Sequence, residues 1–526
     1  MKKILCFLLA LSFTAVAQPP AYTATVSNAP PGYYFISAYK GPTLSYPMIL
    51  DETGHVVYYR RLVGTYSVDF MLQGNGQMSY YPSNLMKFII MDSTFYPVDT
   101  ISAVGYSTDT HELQILPNGH YLLLGGESSI QDLSAYHYFN HNGSPGSTNA
   151  TWKTNIIQEL DENKVPVFTW HHKANFPFDE VDTFFLSSPT SVDWSHSNAL
   201  EVDQDSNLLM SSRHFDEITK INRSTGAIMW HFGGKYNQFT FIGDTTRFYG
   251  QHDIRRLPNG HITFYDDASR PAGQHLPSRA VEYELDEVNM TAKLVWSYVF
   301  DSLMYSPAQG SMQMLPNKNA LVDFGNVNRD SVCFTVVDSM GTQLYTVKFD
   351  AGYYSYRARY YPSLPWQLHR PTVSCFDSSG TFYLKVDSAY AGYIWNDGSN
   401  GSTLAVTDTG TFYVFVPYGF GGYVSSYPIH ITDLNSQCGG TTAAGAMDRW
   451  SNYKLFPNPA QNQVTVSSPE FDRNTVVKIR DVYGKNIELP VTMRETSFTF
   501  DTSGLTAGVY FISTKYRTLK FVKSRR

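Results

Sequence analysis

Apolar and polar residues alternate along the first two-thirds of the chain in short runs that surround polar turns. The clearest runs are HELQILPNGHYLLLG (residues 111–125), HDIRRLPNGHITFYD (252–266) and NALEVDQDSNLLMSSR (198–213), and weaker copies are SMQMLPNKNALVDFG (311–325) and DFMLQGNGQMSYY (69–81). Alternation with a period of two is typical of strands with one buried face, and a short polar turn between two such runs is typical of a hairpin. We therefore predict a β-hairpin in each copy.

Each predicted hairpin is followed by a second one, which often ends in tryptophan. The clearest of these are QELDENKVPVFTW, TKINRSTGAIMW and YELDEVNMTAKLVW. Repetition of a four-stranded unit is typical of a β-propeller, in which the units stack radially and bury their faces on one another. Six blades over residues 18–365 fit the copies best, and five or seven stay open. A β-sandwich is the alternative, which the regular tryptophan-bearing hairpins disfavour.

The repeat stops after residue 365. Residues 366–437 contain short alternating strands that predict a small immunoglobulin-like sandwich. Residues 438–452 are rich in Gly, Ala and Thr, as linkers often are, and residues 453–526 predict a further β unit. The predicted fold class is therefore all-β, with a six-bladed β-propeller followed by a small immunoglobulin-like sandwich and a C-terminal β-sandwich.

Composition and charge narrow the class of protein. Aromatic residues make up 15% of the chain and charged residues 16%, which suits a β-rich fold. The net charge of −7 and the lack of a long basic run argue against nucleic acid as a partner. Residues 1–17 contain two lysines, a short apolar run and a small-residue cleavage site. This pattern predicts a secretory signal peptide and an exported protein with no stable membrane insertion.

Three cysteines follow the predicted signal peptide. Cys375 and Cys438 bracket one segment and could form a disulfide in an oxidising compartment. Cys333 lies in the strand-like run SVCFTVV and is interpreted as a buried apolar residue. The sequence contains no CxxC pair, so a cysteine metal site is not expected.

A group of polar residues occupies one position of the repeat. His111, Asn198 and His252 each precede the first inward apolar residue of a hairpin by two positions, and His196 is expected to point the same way as Asn198. Each hairpin returns to the edge where it began, which brings Arg213 to the same end. A single histidine at the start of a strand is usually a half-exposed residue with a local hydrogen bond. Three histidines in register, together with an asparagine and an arginine, predict a functional cavity at one mouth of a central channel.

The chemistry of this cavity leaves two possibilities. Three histidines can hold zinc or another divalent ion, but Arg213 would oppose a cation, and only Glu127 or Asp266 offers a nearby carboxylate. A cationic, hydrogen-bonding cavity favours a small anion such as a sulfate ester, a phosphate ester or a carboxylate, and no metal is expected. Four further histidines are interpreted as surface residues: His120, His171, His172 and His261.

Several of these stretches resemble a known family. WHFGGKYNQFTF followed by YGQHDIRRLPNGHITFYDD, together with TDTHELQILPNGHYLLLG and WSHSNALEVDQDSNLLMSSR, is similar to the arylsulfotransferase (aryl-sulfate sulfotransferase) family of exported six-bladed propellers. The resemblance implies that a histidine attacks the sulfuryl group of a phenolic sulfate, and that the resulting sulfohistidine passes this group to another phenol. It implies a small aromatic sulfate donor, a phenolic acceptor and no cofactor. The N-terminal sandwich domain of well-known bacterial members has no clear counterpart here.

The resemblance also assigns residues. The nucleophile falls on His252, and the catalytic positions that assist it fall on His111, His196 and Arg213. Asn198, together with those same three residues, falls on the positions that bind the substrate. Neutral imidazole is a competent nucleophile, and a covalent intermediate divides one difficult transfer into two easier ones. Because sulfuryl transfer is expected to pass through a loose transition state like that of phosphoryl transfer, positioning and charge stabilisation should matter most.

The C-terminal segment carries a second resemblance. LFPNPAQNQVTV and SGLTAGVYFIS, followed by basic residues, resemble the sorting domain of the type IX secretion system of Bacteroidetes. The resemblance implies contact with the type IX secretion machinery and a location that is secreted or on the outer-membrane cell surface. A plain β-sandwich that ends the protein is the alternative.

Two other functions stay open for the propeller. It could be a non-catalytic protein that binds a sulfated or acidic ligand or glycan at the cell surface. It could also be a metal-dependent lyase or hydrolase that uses the same histidines. Bound metal and loss of activity with a chelator would support the second of these.

Overall fold

The computed structural model describes residues 18–526 apart from 141, 270–275, 316, 328–331, 435–453, 457–459, 469–470, 472–475, 482–485, 495, 515–517 and 525–526. The predicted signal peptide (1–17), the predicted linker (438–452) and Cys438 therefore lie outside the described residues. Cys375 is disulfide-bonded. Cys333 is a free and buried cysteine, which confirms its interpretation.

Between residues 22 and 361 the described strands form six sheets, numbered here from 1 to 6, whose pairings are antiparallel except at two edge strands, Ser191–Asp193 and Thr240–Ile242. Sheets 1 to 3 consist of Ala358–Tyr361, Tyr33–Lys40, Leu44–Asp51 and Val56–Arg60; Ser67–Leu72, Met78–Pro82, Phe88–Met91 and Pro97–Ile101; and Ser107–Ile115, Tyr121–Gln131, Ala150–Leu160 and Pro166–His171. Sheets 4 to 6 consist of Ser197–Val202, Leu208–Ser212, Glu217–Ile221 and Ile228–Gly233; His252–Arg256, Ile262–Asp266, Arg279–Asp286 and Thr291–Tyr298; and Ser311–Met314, Ala320–Asp323, Val332–Val337 and Gln343–Phe349.

Short elements complete these sheets. Edge strands are Tyr22–Val26 in sheet 6, Leu62–Val63 in sheet 1, Ser191–Asp193 in sheet 3 and Thr240–Ile242 in sheet 5. The helical turns are His172–Asn175, Gly41–Thr43, Phe178–Glu180, Thr183–Phe185 and Arg213–Phe215. Across the part of the chain that the structure describes, no helix has the length and apolar character needed to cross a membrane.

The six sheets follow one another in a closed ring. From sheet 2 onward, the first strand of each sheet contacts the first strand of the next, and the first strand of sheet 6 contacts that of sheet 1. The second strand of sheet 1 contacts sheet 2. Both ends of the segment close the ring, because Tyr22–Val26 pairs in sheet 6 while Ala358–Tyr361 pairs in sheet 1. The predicted all-β propeller is confirmed, and the number of blades stays a prediction.

Apolar side chains fill the spaces between neighbouring sheets. Leu113, Leu200 and Ile254, the inward positions of three hairpin copies, are completely buried. Between sheets 4 and 5 the rings of Phe232 and Phe264 each pack against Phe248, at centroid distances of 5.0 and 4.7 Å. The alternation in the sequence therefore marks the faces on which the sheets pack.

The first strands of sheets 2 to 5 share an irregularity at the same point. Their pairing with the second strand shifts within four segments: Val68–Met71, Thr108–Leu113, Ser197–Ala199 and His252–Arg255. Asp69, Glu112, Asn198 and Asp253 lie within these segments and are all buried. Asp69 and Asp253 have positive φ values of 55° and 64°. Such bulges re-aim side chains and are common beside active sites.

The chain forms two compact units. The first contains residues up to 371 with 388–402 and 414–426, and the second contains 372–387, 403–413 and 427–526. In the first unit Gly422–Ser425 pairs with Val56–Arg60, and Val414–Tyr418 and Ile394–Trp395 continue sheet 1 beyond it. The predicted immunoglobulin-like segment, residues 366–437, therefore contributes strands to both units, and its boundaries stay a prediction.

The described part of the second unit contains four sheets. Their strands are Val373–Ser378, Thr381–Val386 and Thr403–Val406; Gly410–Phe412 and Ile429–Ile431; Lys454–Phe456, Gln463–Ser467, Ser497–Asp501 and Val491–Met493; and Asn486–Ile487, Lys478–Asp481, Gly508–Ser513 and Thr518–Lys523. The last two sheets share one core, to which Val464 and Phe498 contribute from one sheet and Ile479 and Ile512 from the other. This packing of two antiparallel sheets is a β-sandwich.

Candidate active site

Four of the residues predicted from the repeat register are brought together by three different sheets. His111 lies in the first strand of sheet 3, and His252 begins the first strand of sheet 5. His196 and Arg213 flank the first hairpin of sheet 4. The rings of His111 and His196 lie 5.0 Å apart between centroids. His252 lies close enough to both rings, and to Arg213, for their charges to lower its pKa.

His252 is the most deeply buried of these three histidines, with 2% of its side chain exposed. Nδ1 lies 3.0 Å from the carbonyl oxygen of Gly250 and 3.1 Å from a carboxylate oxygen of Asp267. Burial, followed by the charges of Arg213 and the other histidines, holds the pKa of His252 well below its ordinary range. The ring is therefore neutral, with its proton on Nδ1, where Gly250 accepts it, and its lone pair on Nε2.

Gln309 contacts this lone pair from a strained backbone position. Its N–H donates to Nε2 of His252 at 3.2 Å. Its φ of 72° falls in the left-handed region that residues with a Cβ rarely adopt. The hydroxyl of Tyr39 donates to Oε1 of Gln309 at 2.7 Å and fixes the side chain. Strain of this kind persists where the surrounding contacts enforce it, and it is concentrated at functional sites.

His111 and His196 each bind a carboxylate through Nδ1. Asp109 lies 2.6 Å from His111, and Asp193 lies 2.6 Å from His196. Burial would raise the pKa of both carboxyl groups, but the adjoining histidines outweigh burial and hold both pKa values below the ordinary range. Among the described residues no hydrogen bond uses Nε2 of either histidine. Both Nε2 atoms are therefore accessible to the chemistry of a bound substrate.

Arg213 is held by contacts to both terminal nitrogens and to the face of its guanidinium group, while its Nε has no hydrogen-bond partner among the described residues. Nη2 donates to the carbonyl oxygen of Pro307 at 2.6 Å, and the guanidinium carbon lies 4.7 Å from the ring centroid of Phe185. Nη1 lies 3.0 Å from Nε2 of His214, which accepts because Nδ1 of that histidine donates to a backbone carbonyl at 2.7 Å. Burial, followed by the charges of its cationic neighbours, holds the pKa of His214 well below its ordinary range. His214 is thus a neutral support for Arg213.

Asn198 is completely buried and contacts the residue before His252. Its Nδ2 donates to the carbonyl oxygen of Gln251 at 2.7 Å, and its Oδ1 has no hydrogen-bond partner among the described residues. Its own carbonyl oxygen accepts from the hydroxyl of Tyr356 at 3.0 Å. Through Gln251, Asn198 fixes the point at which the strand of His252 begins. Its direct contact with a substrate stays a prediction.

An ion network that the sequence did not reveal lies beside these residues: Asp69, Glu112, Asp253, Arg255, Arg357 and Arg359. Arg359 donates to both carboxylate oxygens of Asp253, at 2.8 and 2.5 Å. Arg357 lies 3.0 Å from Asp69 and 3.0 Å from Glu112. Burial would raise the pKa of Asp253, but the arginines outweigh it and lower the pKa. Three cations and three anions therefore balance one another next to the site.

Three residues of the site have the spacing of metal ligands. The ligand atoms of Asp193, His196 and His214 all lie within 4.8 Å of one another. Nδ1 of His196 faces Asp193, and Nε2 of His214 accepts from Arg213. A divalent cation would displace the guanidinium of Arg213 and would be repelled by it. The arrangement therefore suits an anion better than a metal ion.

The histidines interpreted as surface residues divide into two groups. Three are partly exposed and lie next to a carboxylate: His120 2.7 Å from Glu159, His171 3.0 Å from Glu127 and His261 2.6 Å from Glu282. The interpretation is wrong for His172, which is completely buried. Nε2 of His172 lies 3.1 Å from the hydroxyl of Ser212, and burial lowers the pKa to about 3. The chain enters the helix His172–Asn175 here, so alternation along the preceding strand no longer decides where the side chain faces.

The closed ring and its central histidines define the class of protein: a propeller with a site suited to holding an anionic group. A family model described as arylsulfotransferase (ASST) matches residues 22–360. The chain belongs to this family, and the family carries a sulfotransferase-type function. A second model, described as a secretion system C-terminal sorting domain, matches residues 454–524. It indicates secretion to the cell surface and contact with the type IX machinery.

Solved structures of other proteins show weaker similarity. A protein of unknown function from Bacteroides caccae is 13% identical over 62% of this chain and 98% of its own, with a TM-score of 0.40. A catalytically inactive virginiamycin B lyase from Staphylococcus aureus with quinupristin is 9% identical over 70% and 97%, with a TM-score of 0.33. A β-propeller domain from Myceliophteria thermophila is 8% identical over 62% and 99%, with a TM-score of 0.31. No curated protein matches the chain.

Proposed function

We propose that the protein is a secreted aryl-sulfate sulfotransferase, which moves a sulfuryl group from a phenolic sulfate ester to a phenolic acceptor without a nucleotide cofactor. The observation that carries the proposal is the state of His252. Its ring is neutral, Gly250 accepts its Nδ1 proton, and its lone pair is on Nε2. A histidine in this state is a nucleophile, and nearby Arg213 is suited to stabilising the sulfuryl oxygens.

In the first step Nε2 of His252 bonds to sulfur while the bond from sulfur to the phenolic oxygen breaks, and the phenolate leaves with the electron pair. The sulfohistidine combines a positive ring with a negative sulfuryl group. The carbonyl of Gly250 and the carboxylate of Asp267 lie 3.0 and 3.1 Å from Nδ1, where they stabilise the positive ring. Burial raises the pKa of Asp267 well above its ordinary range, and a positive ring beside it favours the ionised form.

His111 and His196 are both suited to protonate the departing phenolate. The carboxylate on Nδ1 of each holds the ring in place, and its Nε2–H supplies the proton. The same histidine, now neutral, then accepts the proton of the acceptor phenol. The oxygen of that phenol attacks the sulfur of the sulfohistidine and restores His252. The proton given in the first step is thus recovered in the second.

The backbone N–H of Gln309 occupies the lone pair on Nε2 of His252, which is the lone pair that attacks sulfur. Its contact with Nε2 of His252, at 3.2 Å, is longer than the usual N–H hydrogen bond of about 2.9 to 3.0 Å. Attack on sulfur requires this contact to open, after which the same N–H can donate to a sulfuryl oxygen. Because a long neutral hydrogen bond is exchanged for one to a charged group, the exchange favours the transition state.

The rival proposal is a non-catalytic propeller that binds a sulfated or acidic ligand or glycan at the cell surface. It would use the same cationic group, Arg213, and the same buried histidine, and it requires no nucleophile. The two proposals differ in one respect that an assay can measure, which is whether a sulfur–oxygen bond is broken.

A turnover assay with the full chain tests the proposal. 4-Nitrophenyl sulfate is the donor, phenol is the acceptor, and EDTA removes free metal. We expect nitrophenol release that depends on the acceptor. In His252→Ala the rate should fall at least about a thousandfold, because the nucleophile is absent. His261→Ala is the matched control, since this histidine follows a hairpin turn of the same sheet and should keep wild-type activity.

Two outcomes would contradict the proposal. No nitrophenol release with a series of aryl sulfates would favour the binding propeller. Release that EDTA abolishes and a divalent ion restores would favour a metal-dependent enzyme that uses the same histidines.

A further inference from the structure

A cavity of about 320 Å³ adjoins the ion network and is separate from the candidate active site. Its lining comes mainly from the ends of the first strands of sheets 2, 3 and 4 and from the turns that follow them, at residues 71–74, 114–117 and 201–202. Glu112, Arg255 and Arg359 belong both to the network and to the lining. The residues of the candidate active site do not line it: His111, His196, Arg213 and His252.

Glu201 gives this cavity an excess of negative charge. The ion network contains three carboxylates and three arginines, which balance one another. Glu201 is a fourth carboxylate, and it lines the cavity 3.4 Å from Arg255. Burial raises the pKa of Glu201 to about 7, although Arg255 lowers it, while Glu112 and Asp253 raise it. Above that pH the whole group is negative, which favours a cation in the cavity.

Glu112 offers a buried acceptor that no group in the described residues uses. Its Oε2 accepts from Arg255 at 2.9 Å and from Arg357 at 3.0 Å. Its Oε1 has no hydrogen-bond partner among the described residues, although the side chain is completely buried. A buried acceptor without a donor costs free energy, which a ligand that donates to it would recover. The cavity therefore lacks a hydrogen-bond donor at Glu112.

The two arginines in the lining are already engaged, which disfavours an anion. Arg359 donates to both carboxylate oxygens of Asp253. Nη1 of Arg255 donates to the carbonyl oxygen of Leu200 at 2.6 Å, and Nη2 donates to Glu112. An anion in the cavity would have to displace these acceptors and would be repelled by Glu201.

The remainder of the lining suits a short alkyl chain. The apolar side chains are Met71, Leu72, Leu116, Pro117 and Val202. The volume is at the lower end of the range of roughly 300 to 1,000 Å³ that is usual for sites of small organic ligands, which combine apolar walls with a few polar groups. A ligand of this size can fill the apolar part with one chain and reach the carboxylates with one polar group.

We propose that this cavity binds a small primary alkylammonium ion. Its nitrogen supplies a positive charge and three N–H donors, which match Oε1 of Glu112 and the carboxylate of Glu201. Its alkyl chain lies against the apolar lining. The site is independent of sulfuryl transfer, because it shares no residue with the candidate active site.

The test is isothermal titration calorimetry of the full chain with n-pentylamine at pH 8, where the amine is protonated and Glu201 is mostly ionised. 1-Pentanol and pentanoate have the same alkyl chain with a neutral and a negative end group. We expect saturable binding of pentylammonium with a Kd of about 1 mM or lower, and binding of the other two that is at least about tenfold weaker.

Glu201→Gln tests the location of the site. We expect the variant to bind pentylammonium about tenfold more weakly than wild type, because one of the two carboxylates has lost its charge. Glu287→Gln is the matched control. Glu287 is 31% exposed, against 22% for Glu201, and it lies 2.9 Å from the adjacent arginine, Arg256, outside the cavity lining. It should bind pentylammonium as wild type does, and circular dichroism establishes that both variants are folded.

Four results would overturn the proposal. The first is no saturable binding of pentylammonium to wild type, and the second is equal affinity for pentanol, which would leave an apolar cavity without recognition of a cation. The third is tighter binding of pentanoate, which would mean that the arginines recognise an anion. The fourth is equal affinity of folded Glu201→Gln and Glu287→Gln, which would place the bound amine elsewhere on the protein.

Discussion

His252 and Asp253 are neighbours in the chain and are both buried, yet they have opposite environments. Nδ1 and Nε2 of His252 make contacts of 3.0 to 3.2 Å with backbone groups and one carboxylate, and its ring is neutral. Asp253 is surrounded by Arg255, Arg357 and Arg359, at distances from 2.5 to 3.3 Å. The pairing of this strand shifts directly after His252, and Asp253 lies within the shift, so the two neighbouring side chains have different surroundings.

The same division occurs in sheet 3, between His111 and Glu112. His111 is partly exposed beside His196, whereas Glu112 lies completely buried between Arg255 and Arg357. In both bulged strands a histidine that can react is therefore followed by a carboxylate whose charge is compensated by arginines. Rigid supports of this kind hold a catalytic group in its productive geometry.

Removal of the negative charge at Asp253 should have the largest effect on stability. Asp253→Asn leaves three arginines without their shared carboxylate, so the free energy of unfolding should fall by about 3 to 5 kcal/mol. His252→Ala should lower it by less, about 1 to 3 kcal/mol, because it removes a few neutral hydrogen bonds and the packing of one buried ring. Urea denaturation of both variants measures the difference. Equal losses of stability would break the comparison between the two neighbours.

The roles of the two carboxylate-bound histidines can be separated by the leaving group. If His196 protonates the phenolate, Asp193→Asn should lower kcat for phenyl sulfate by roughly 10- to 100-fold. The effect on 4-nitrophenyl sulfate should be small, because nitrophenolate leaves without a proton. Asp109→Asn applies the same test to His111. Equal losses with both donors in both variants would show that neither histidine acts as the acid.

Glu201 at the edge of the ion network should make stability depend on pH. Burial raises its pKa to about 7, although Arg255 at 3.4 Å lowers it, while Glu112 and Asp253 raise it. The folded protein therefore holds a proton that the unfolded chain releases above its ordinary pKa of 4.5. The free energy of unfolding should fall by about 1 to 2 kcal/mol as pH rises through this interval. Between pH 5 and pH 8 the fall measured by urea unfolding should be smaller by this amount in Glu201→Gln than in wild type, because Glu180 and Asp323, whose pKa values burial raises to about 8 and about 7, are present in both. An equal fall in the free energy of unfolding in both proteins would show that Glu201 is not its cause.

The hairpin repeat predicted the central histidines because one register governs several sheets. His111 and His252 stand two positions before Leu113 and Ile254, and both apolar residues are completely buried. Register also placed Asn198 in a first strand, where it is buried and contacts Gln251 at the start of the strand of His252. Period-two alternation therefore gives the position of a residue and not its contacts.

The partners of those residues were missed for different physical reasons. Asp109 lies within the segment where the pairing shifts, and Asp193 reaches His196 across a turn of the chain, so alternation does not relate either pair. Arg357 lies just before the strand that closes the ring, and it meets Glu112 only after the ring has formed. No local sequence pattern predicts a contact between segments that are so far apart in the chain. Turn and bulge geometry, rather than composition, decided these contacts.

Direct detection of a sulfuryl group on His252 tests the central claim most directly. The full chain is mixed with 4-nitrophenyl sulfate without acceptor, kept at alkaline pH, digested and analysed by mass spectrometry. We expect one equivalent of nitrophenol and one sulfuryl group on the peptide that contains His252, with neither in His252→Ala. Steady acceptor-dependent turnover without such an adduct, or an adduct on His111 or His196 instead, would contradict it.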